Sequence, residues 1–289
     1  MPVPAVPVTV VMATMDRRDN VLSTLDRLAA LPERPAVVLV DNGSTDGTAE
    51  AVRRTHPQVV VLEPGRNLGA AGRTLGVEAA RTDLVAFADD DSWWAPGALT
   101  CAAEHFARTP RLGLLAARIL VGPEGRLDPV CVEMADSPLP RRPDLPGPPV
   151  LGFIACGAVV RRSAYLGVGG FSPVVFFLGE ETLLAQDLAA AGWGVAYVDD
   201  VVAHHHPGTA GDRTGRARLQ ARNALVSSWL RRPLPVTLRH TAAYARRSRS
   251  PVWRGALLDA LRRLPAVVPE RRVLPDDVER QVRLLEASA

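Results

Sequence analysis

Along the first ninety residues, short apolar runs rich in β-branched residues alternate with segments whose apolar positions recur every three or four residues. "VTVVMA" (8–13), "AVVLVD" (36–41), "QVVVLE" (58–63) and "LVAFAD" (84–89) predict buried strands. Between them, "NVLSTLDRLAAL" (20–31), "DGTAEAVRRT" (46–55) and "LGAAGRTLGVEAAR" (68–81) predict helices. Strands separated by helices at this spacing imply an α/β fold with a parallel sheet and right-handed crossovers. A ligand crevice then lies at the carboxyl ends of the strands.

Beyond Pro96 the alternation weakens. A helix is expected over 97–108, a strand pair over 112–121, a Pro-rich loop over 136–149 and a strand or two over 150–162. Residues 179–193 read as a helix closed by Gly192, and 194–208 as a strand, a turn and a short strand. From Asp212 only helices broken by prolines follow, the clearest over 253–264 and 276–287. The expected division is a unit over 1–211, in two parts (1–96 and 97–211), and a basic helical extension over 212–289.

With 289 residues and 47% hydrophobic content the chain can bury a large core, which excludes a disordered protein. Every one of its 34 basic residues is Arg, and the net charge of +3 points to no particular partner. The charge is unevenly placed: 17 Arg face 24 acids in 1–211, and 17 Arg face 7 acids in 212–289. A basic tail suits an anionic surface, although Arg interleaved with helix-spaced Leu and Ala also describes ordinary solvated helices. Cys101, Cys131 and Cys156 lie far apart with no CxxC, which fits a reducing compartment and argues against a disulfide framework or a structural zinc site. The N-terminal stretch lacks a basic region ahead of its apolar run, so no signal peptide is expected. No apolar run approaches the roughly 20 residues that span a bilayer.

The chemistry is concentrated at three strand ends, "ATMDRR", "DNGSTDG" and "DDDSWW", which a parallel sheet brings to one edge. Asp89, Asp90 and Asp91 repel one another, and an N-cap needs one Asp, so a positive partner is expected. Such hard oxygen ligands suit Mg²⁺ or Mn²⁺ bridging to substrate phosphates. If the backbone stays extended, Asp89 and Asp91 share a side. Asp46 is placed to cap the next helix, whereas Asp41, directly after "VVLV", could accept a hydrogen bond from a base N–H. "GRNLGAAGRTLG" is neither a P-loop nor a dinucleotide turn, but its Arg73 could offset diphosphate charge. Glu180 and Glu181 open a helix, where carboxylates suit the dipole. His204, His205 and His206 sit on a strand, so neighbours face opposite ways and not all three can share one metal.

Taken together, "VTVVMATMDRRD", "VVLVDNGSTDGT", "GRNLGAAGRTLG" and "LVAFADDDSWWAPGAL" resemble, in order and spacing, the nucleotide-sugar-binding half of the family 2 glycosyltransferases of GT-A fold, including rhamnosyltransferase-like members. "GVGGF", "FFLGEETLLAQDLAAAGW" and the His cluster resemble the acceptor half, so the likeness covers about residues 6–210. It implies a mostly parallel central sheet flanked by helices and an inverting transfer from a UDP- or dTDP-sugar to a hydroxyl of a polysaccharide, cell-wall or lipid-linked glycan. By the same resemblance Thr14 and Asp41 would hold the base, Arg73 the base or diphosphate side, and Asp89 and Asp90 the nucleotide. Asp89 and Asp91 would hold Mn²⁺ or Mg²⁺, with Asp91 as the main ligand of the DxD motif. The base is usually the Asp of a Glu-Asp pair; here Glu181 stands in its place, with Glu180 before it. A late His joins the metal in many members; Glu181 plus 24 is His205, with His204 and His206 one register step away. "RLQARNALVSSWLRRP" (218–233) is similar to an Arg-Asn helix that follows the catalytic unit in relatives. The resemblance implies a cytoplasmic bacterial enzyme at the inner face of the cell membrane, with no nucleic-acid partner. The alternatives are a nucleotidyltransferase, which normally needs a Gly-rich loop that "ATMDRRDN" lacks, and a non-catalytic scaffold with the same fold.

Overall fold

The structure, a computed structural model, describes residues 7–208 and 213–288. The expected boundary at 211/212 lies outside the described residues. The first part runs β1 (Val8–Thr14), α1 (Arg18–Ala29), β2 (Ala36–Asp41), α2 (Thr48–Thr55), β3 (Val60–Leu62), a 3-10 turn (Gly69–Ala71), α3 (Gly72–Ala79) and β4 (Leu84–Ala88). There follow β5 (Ser92–Trp94), α4 (Ala98–Arg108), β6 (Leu112–Val121), β7 (Arg126–Leu127), α5 (Pro129–Ala135), β8 (Ala158–Arg161), α6 (Arg162–Gly167), α7 (Glu180–Ala190) and β9 (Gly194–His205). Five further helices are α8 (Arg213–Arg231), α9 (Leu234–Arg247), α10 (Pro251–Arg262), α11 (Leu264–Glu270) and α12 (Asp276–Ser288).

The strands form one sheet in the order β3-β2-β1-β4-β8-β6-β9-β5, with β7 paired to β6. β1, β2, β3 and β4 pair in parallel, and the near-continuous apolar runs of β1 and β4 are buried along almost their whole length. β3, expected as a buried strand over 58–63, is instead a short edge strand with Val60 exposed, because the sheet ends there. Beyond β4 the sheet is mixed: β8 is antiparallel to both β4 and β6, while β6 and β9 are parallel. The core lies on both faces, where Met12, Leu39, Phe87, Leu114 and Leu115 are fully buried.

Several elements differ from the sequence expectation. Residues 112–121 form one strand; Gly113 is no break but a close approach, since a Cβ there would lie 2.7 Å from Trp193 Cβ. Likewise 194–205 is a single strand, and the expected turn is a bulge at Asp199 and Asp200, where the pairing jumps from Ala117–Val198 to Arg118–Val202. Of 150–162 only Ala158–Arg161 is strand. α5 was legible in "DPV" and went unread: Asp128 Oδ1 accepts the Val130 N–H at 3.0 Å, ahead of Pro129 at the first helical position.

The basic extension is not a loose tail. Leu225, Trp229 and Val267 share a core with Val174, Val175 and Leu183, and Leu274, Val278 and Val282 of the last segment pack on Leu139 and Leu151. Part of its arginine excess is structural: Arg231 pairs with Asp187 of α7, and buried Arg232 pairs with Glu279 at 2.7 Å.

Trp94 plugs the sheet end that carries the acidic motif, fully buried and donating its indole N–H to Phe87 O at 3.1 Å. Trp94→Ala empties this position and orphans that carbonyl, and should lower the unfolding free energy in urea by about 3–5 kcal/mol.

Candidate active site

The loops after β1 and β2 are tied together by their own polar groups. Asp16 N–H donates to Ser44 Oγ at 2.9 Å, Thr45 N–H donates to Asp16 Oδ1 at 2.6 Å, and Arg18 N–H donates to Asp46 Oδ2 at 3.0 Å. Asp46 Oδ1 also accepts the Thr48 N–H at 3.0 Å in a turn just ahead of α2; the N-cap itself is Gly47, one residue later than expected, with left-handed backbone and no side chain to cap with. Asp41 is 2% exposed at the end of β2, and its Oδ1 accepts the Ser44 N–H at 2.7 Å. One oxygen is thus committed to the loop.

Asp89, Asp90 and Asp91 follow β4 in a turn, not in extended chain: Ser92 N–H donates to Asp89 O at 3.2 Å and Asp89 N–H to Ser92 Oγ at 2.7 Å. The turn sends Asp90 away from its neighbours. Its Oδ2 accepts from Thr14 Oγ1 at 2.8 Å and its carbonyl from Thr24 Oγ1 at 2.7 Å, which anchors the motif to β1 and α1. Thr14 is itself buried, with its hydroxyl spent on Asp90. Asp89 and Asp91 remain on the crevice side, where Asp89 meets Arg73 and Asp91 Oδ1 lies 3.6 Å from His205 Nε2. Burial raises the carboxyls of Asp90 and Asp91 above their usual range; at Asp91 the Asp89 charge adds to this and His205 opposes it.

Strand register decides which histidine faces the acids. β5 pairs with β9 so that Ser92 opposes His205 and Trp93 opposes His204, and His206 N–H donates to Asp91 O at 2.8 Å. His204 stacks on Trp93 with ring centroids 5.6 Å apart, and His206 meets the same indole at 4.6 Å. His205 therefore points the other way, to Asp91. Arg27 closes the opposite face of Trp93 at 3.9 Å.

The positive charge that the acidic run calls for comes in part from the chain. Arg17, 40% exposed at its side chain, reaches Asp90 and Asp91 at 3.3 Å each. Arg73 in α3 is 7% exposed, pairs with Asp89, and leaves its Nε without a partner. Its guanidinium p Ka is raised, because the charges of Asp89, Glu180 and Glu181 outweigh the cost of burial. Asp89 is the carboxylate in contact with it, and the charges of Glu180 and Glu181 act on it from further away.

Glu180 and Glu181 open α7 behind Gly179 at φ 100°. Glu180 is 2% exposed, with Oε2 unpartnered, and burial followed by the neighbouring Glu181 charge pushes its carboxyl up to about 8. Glu181 is half-buried and is also raised by burial, while Arg73 favours its charged form.

The structure thus gathers Thr14, Asp41, Arg73, Asp89, Asp90, Asp91, Glu181 and His205 around one crevice at the strand ends. Arg17, Trp93 and the Asn223 described below are given no role by the sequence, although "DRR", "DDDSWW" and the Arg-Asn helix contain them. Asp91 Oδ1 and His205 Nε2, 3.6 Å apart, are donors of the kind Mn²⁺ or Mg²⁺ takes, while Asp89 is held by Arg73 and does not close with them into a three-ligand cluster; among the described residues such a cluster is formed by Cys101, His105 and Asp200.

Comparison with known proteins agrees with this geometry. The model of glycosyl transferase family 2 matches residues 9–168. N-acetylglucosaminyl-diphospho-decaprenol L-rhamnosyltransferase of Mycobacterium tuberculosis is 32% identical, over 76% of this chain and 85% of that protein. Pre-mycofactocin glycosyltransferase of the same species is 33% identical, over 65% of this chain and 41% of that protein. Among solved structures, the mannosyltransferase PcManGT from Pyrobaculum calidifontis, in complex with GDP-Man and Mn²⁺, superposes with a TM-score of 0.61 at 21% identity, covering 98% of this chain and 79% of that chain. S. aureus TarS in complex with UDP-GlcNAc gives 0.58 at 16% identity, covering 95% and 83%. The fold is GT-A.

A carboxyl raised by burial stabilises the fold fully below the ordinary carboxyl pKa and loses that contribution as pH rises through about 8. Glu180→Gln should therefore match wild type in urea unfolding near pH ~4 and exceed it by on the order of 1–3 kcal/mol near pH ~9.

Proposed function

The chain belongs to glycosyl transferase family 2 and is a glycosyltransferase, and from that premise we propose an inverting, divalent-metal-dependent enzyme that uses a UDP- or dTDP-sugar. The observation that carries the reading is the crevice at the strand ends, where buried Arg73 pairs with Asp89 and Asp91 lies 3.6 Å from His205.

Glu181 sits at the first turn of α7, where the helix dipole favours its ionised form, and takes the proton from the acceptor hydroxyl. The acceptor oxygen attacks the anomeric carbon in line while the sugar–phosphate bond breaks, its electron pair leaving with the diphosphate; a single displacement inverts that carbon. Arg73 places fixed positive charge beside both events. Arg17, at the rim, can turn from Asp91 to a donor phosphate. Asp41 and the paired loops after β1 and β2 frame the base, with Thr14 and Asp90 holding the loop from within. Asp89, Asp91 and His205 would hold Mn²⁺ or Mg²⁺, which when bound neutralises the diphosphate leaving group.

A decaprenol-linked acceptor, as named for the mycobacterial rhamnosyltransferase, suits this chain as a rhamnosyl or related transferase of cell-wall assembly at the inner face of the membrane. No described helix is long and apolar enough to cross a bilayer. The helices α9 to α11 do expose Leu234, Leu238, Leu261, Leu264 and Val268 among Arg239, Arg246 and Arg262, a mixture suited to an anionic lipid surface.

Two experiments test these readings. In a panel of UDP-, dTDP- and GDP-sugars, one donor should bind only with Mn²⁺ or Mg²⁺; Asp91→Ala should abolish that binding, and Glu181→Gln should keep it while kcat falls by about 10²–10⁴-fold. The acid limb of the wild-type kcat profile should lie above the ordinary carboxyl range, because burial, with the Asp89 charge adding to it, raises Glu181, and it should stay in place in Glu180→Gln, since a Glu180 carboxyl pushed up to about 8 is already neutral there. No bound donor under any metal condition would remove the transferase mechanism. Vesicles containing phosphatidylglycerol should sediment the wild type, and Leu264→Glu with Val268→Glu should weaken this; equal retention would refute membrane docking by this face.

A further inference from the structure

The chain reaches Glu180 and Glu181 through an irregular segment, 172–179, whose backbone is unusual. Phe176 and Leu178 hold φ of 73° and 69°, ahead of Gly179 at 100°. Left-handed backbone at bulky residues is unfavourable and persists only where the surroundings hold it.

Here five consecutive carbonyls are each taken by a donor from elsewhere in the chain. Arg263, between α10 and α11, donates to Val174 O at 3.1 Å, and Arg222 of α8 donates to Val175 O at 3.1 Å. Ala70 N–H, from the 3-10 turn beside the donor site, reaches Phe176 O at 2.8 Å. Gly69 permits this approach, since a Cβ there would collide with the same carbonyl. Asn223 Nδ2 donates to Phe177 O at 2.5 Å and to Leu178 O at 2.6 Å. All but one of these donors belong to the C-terminal extension.

Asn223 is 1% exposed, and its amide is fully used. Both N–H groups go to the carbonyls just named, and Oδ1 accepts from Arg222 Nε at 2.8 Å and Nη2 at 2.6 Å. A flipped amide would set its oxygen against two carbonyl oxygens and its NH₂ against a guanidinium, so Arg222 fixes the orientation.

We propose that Asn223, oriented by Arg222, is a positioning residue for the acceptor-side carboxylates, and that the C-terminal helices are part of the support of the active site. The inference rests on the reading of Glu181 as the base. Asn223 touches no reacting atom; it sets where α7 begins, and so where Glu181 stands relative to Arg73.

The test is Asn223→Asp, which keeps the shape and the Arg222 contact but removes both donors. Transfer kcat should fall on the order of 10²-fold, the scale of a ~1 Å misplacement. Donor Kd and donor KM should stay within about 2-fold, and hydrogen exchange of the amides at 176–182 should quicken. Arg222→Ala, which frees the amide to flip, should give a smaller loss of the same kind. Wild-type kcat in Asn223→Asp would overturn the proposal, and so would donor affinity falling in proportion to kcat, which marks a general folding role. Glu181→Gln assayed beside it separates the two ideas. If that variant turns over normally the base assignment fails, and unchanged exchange at 176–182 in Asn223→Asp would then overturn the positioning role as well.

Discussion

Arg73 balances the charge on which the crevice depends. Asp89, Glu180 and Glu181 come from distant parts of the chain into one low-dielectric space, and without a buried cation their repulsion would force them to protonate or move apart. A guanidinium suits the position because it stays charged when buried and offers donors in several directions. Its partner at Asp89 orients it, and its unpaired Nε leaves one donor for a ligand. Arg17 plays a looser part at the rim, so the acidic run is half neutralised before any substrate arrives.

The geometry around that charge is set by strand pairing and not by the side chains alone. Because β5 is antiparallel to β9 with Ser92 opposite His205, Asp91 and His205 are delivered to the same side of the sheet edge, and Trp93 collects the two flanking histidines on the other. A register slip of one residue would reverse this assignment. The adjacent tryptophans therefore divide the labour. Trp94 fills the core under the acidic turn, and Trp93 keeps the wrong imidazoles away from it.

On the acceptor side the constraint is backbone strain. The segment before α7 adopts a conformation that its own residues disfavour, and the compensation comes from both ends of the molecule, from Ala70 beside the donor site and from Arg222, Asn223 and Arg263 in the C-terminal helices. The fold thereby ties the 3-10 turn at Gly69–Ala71 and the C-terminal helices to one short stretch of main chain. The Arg-rich composition of the extension acquires a physical meaning here: several of its guanidiniums cap carbonyls or pair with buried acids, and fewer are left for solvent than the raw count suggests.

Local pattern was enough for the parallel half. The apolar runs at 8–13, 36–41 and 84–89 could be covered on both faces only in a parallel sheet, and topology then sends "ATMDRR", "DNGSTDG" and "DDDSWW" to one edge. The turn residues ahead of α2 followed from the same short-range logic. The mixed half was less legible because its signals are non-local: the run 112–121 reads as a strand pair but continues as one strand with Trp193 against Gly113, and the bulge at Asp199–Asp200 reads as a turn in a strand that in fact continues. His205 and the Arg-Asn helix could be pointed to by resemblance, but the contacts that His205 and Asn223 make could not, for the same reason. A residue's type and spacing limit which chemistry it can perform, but register between distant strands and the packing of distant helices determine which atoms meet, and neither is written in any window of sequence short enough to read by periodicity.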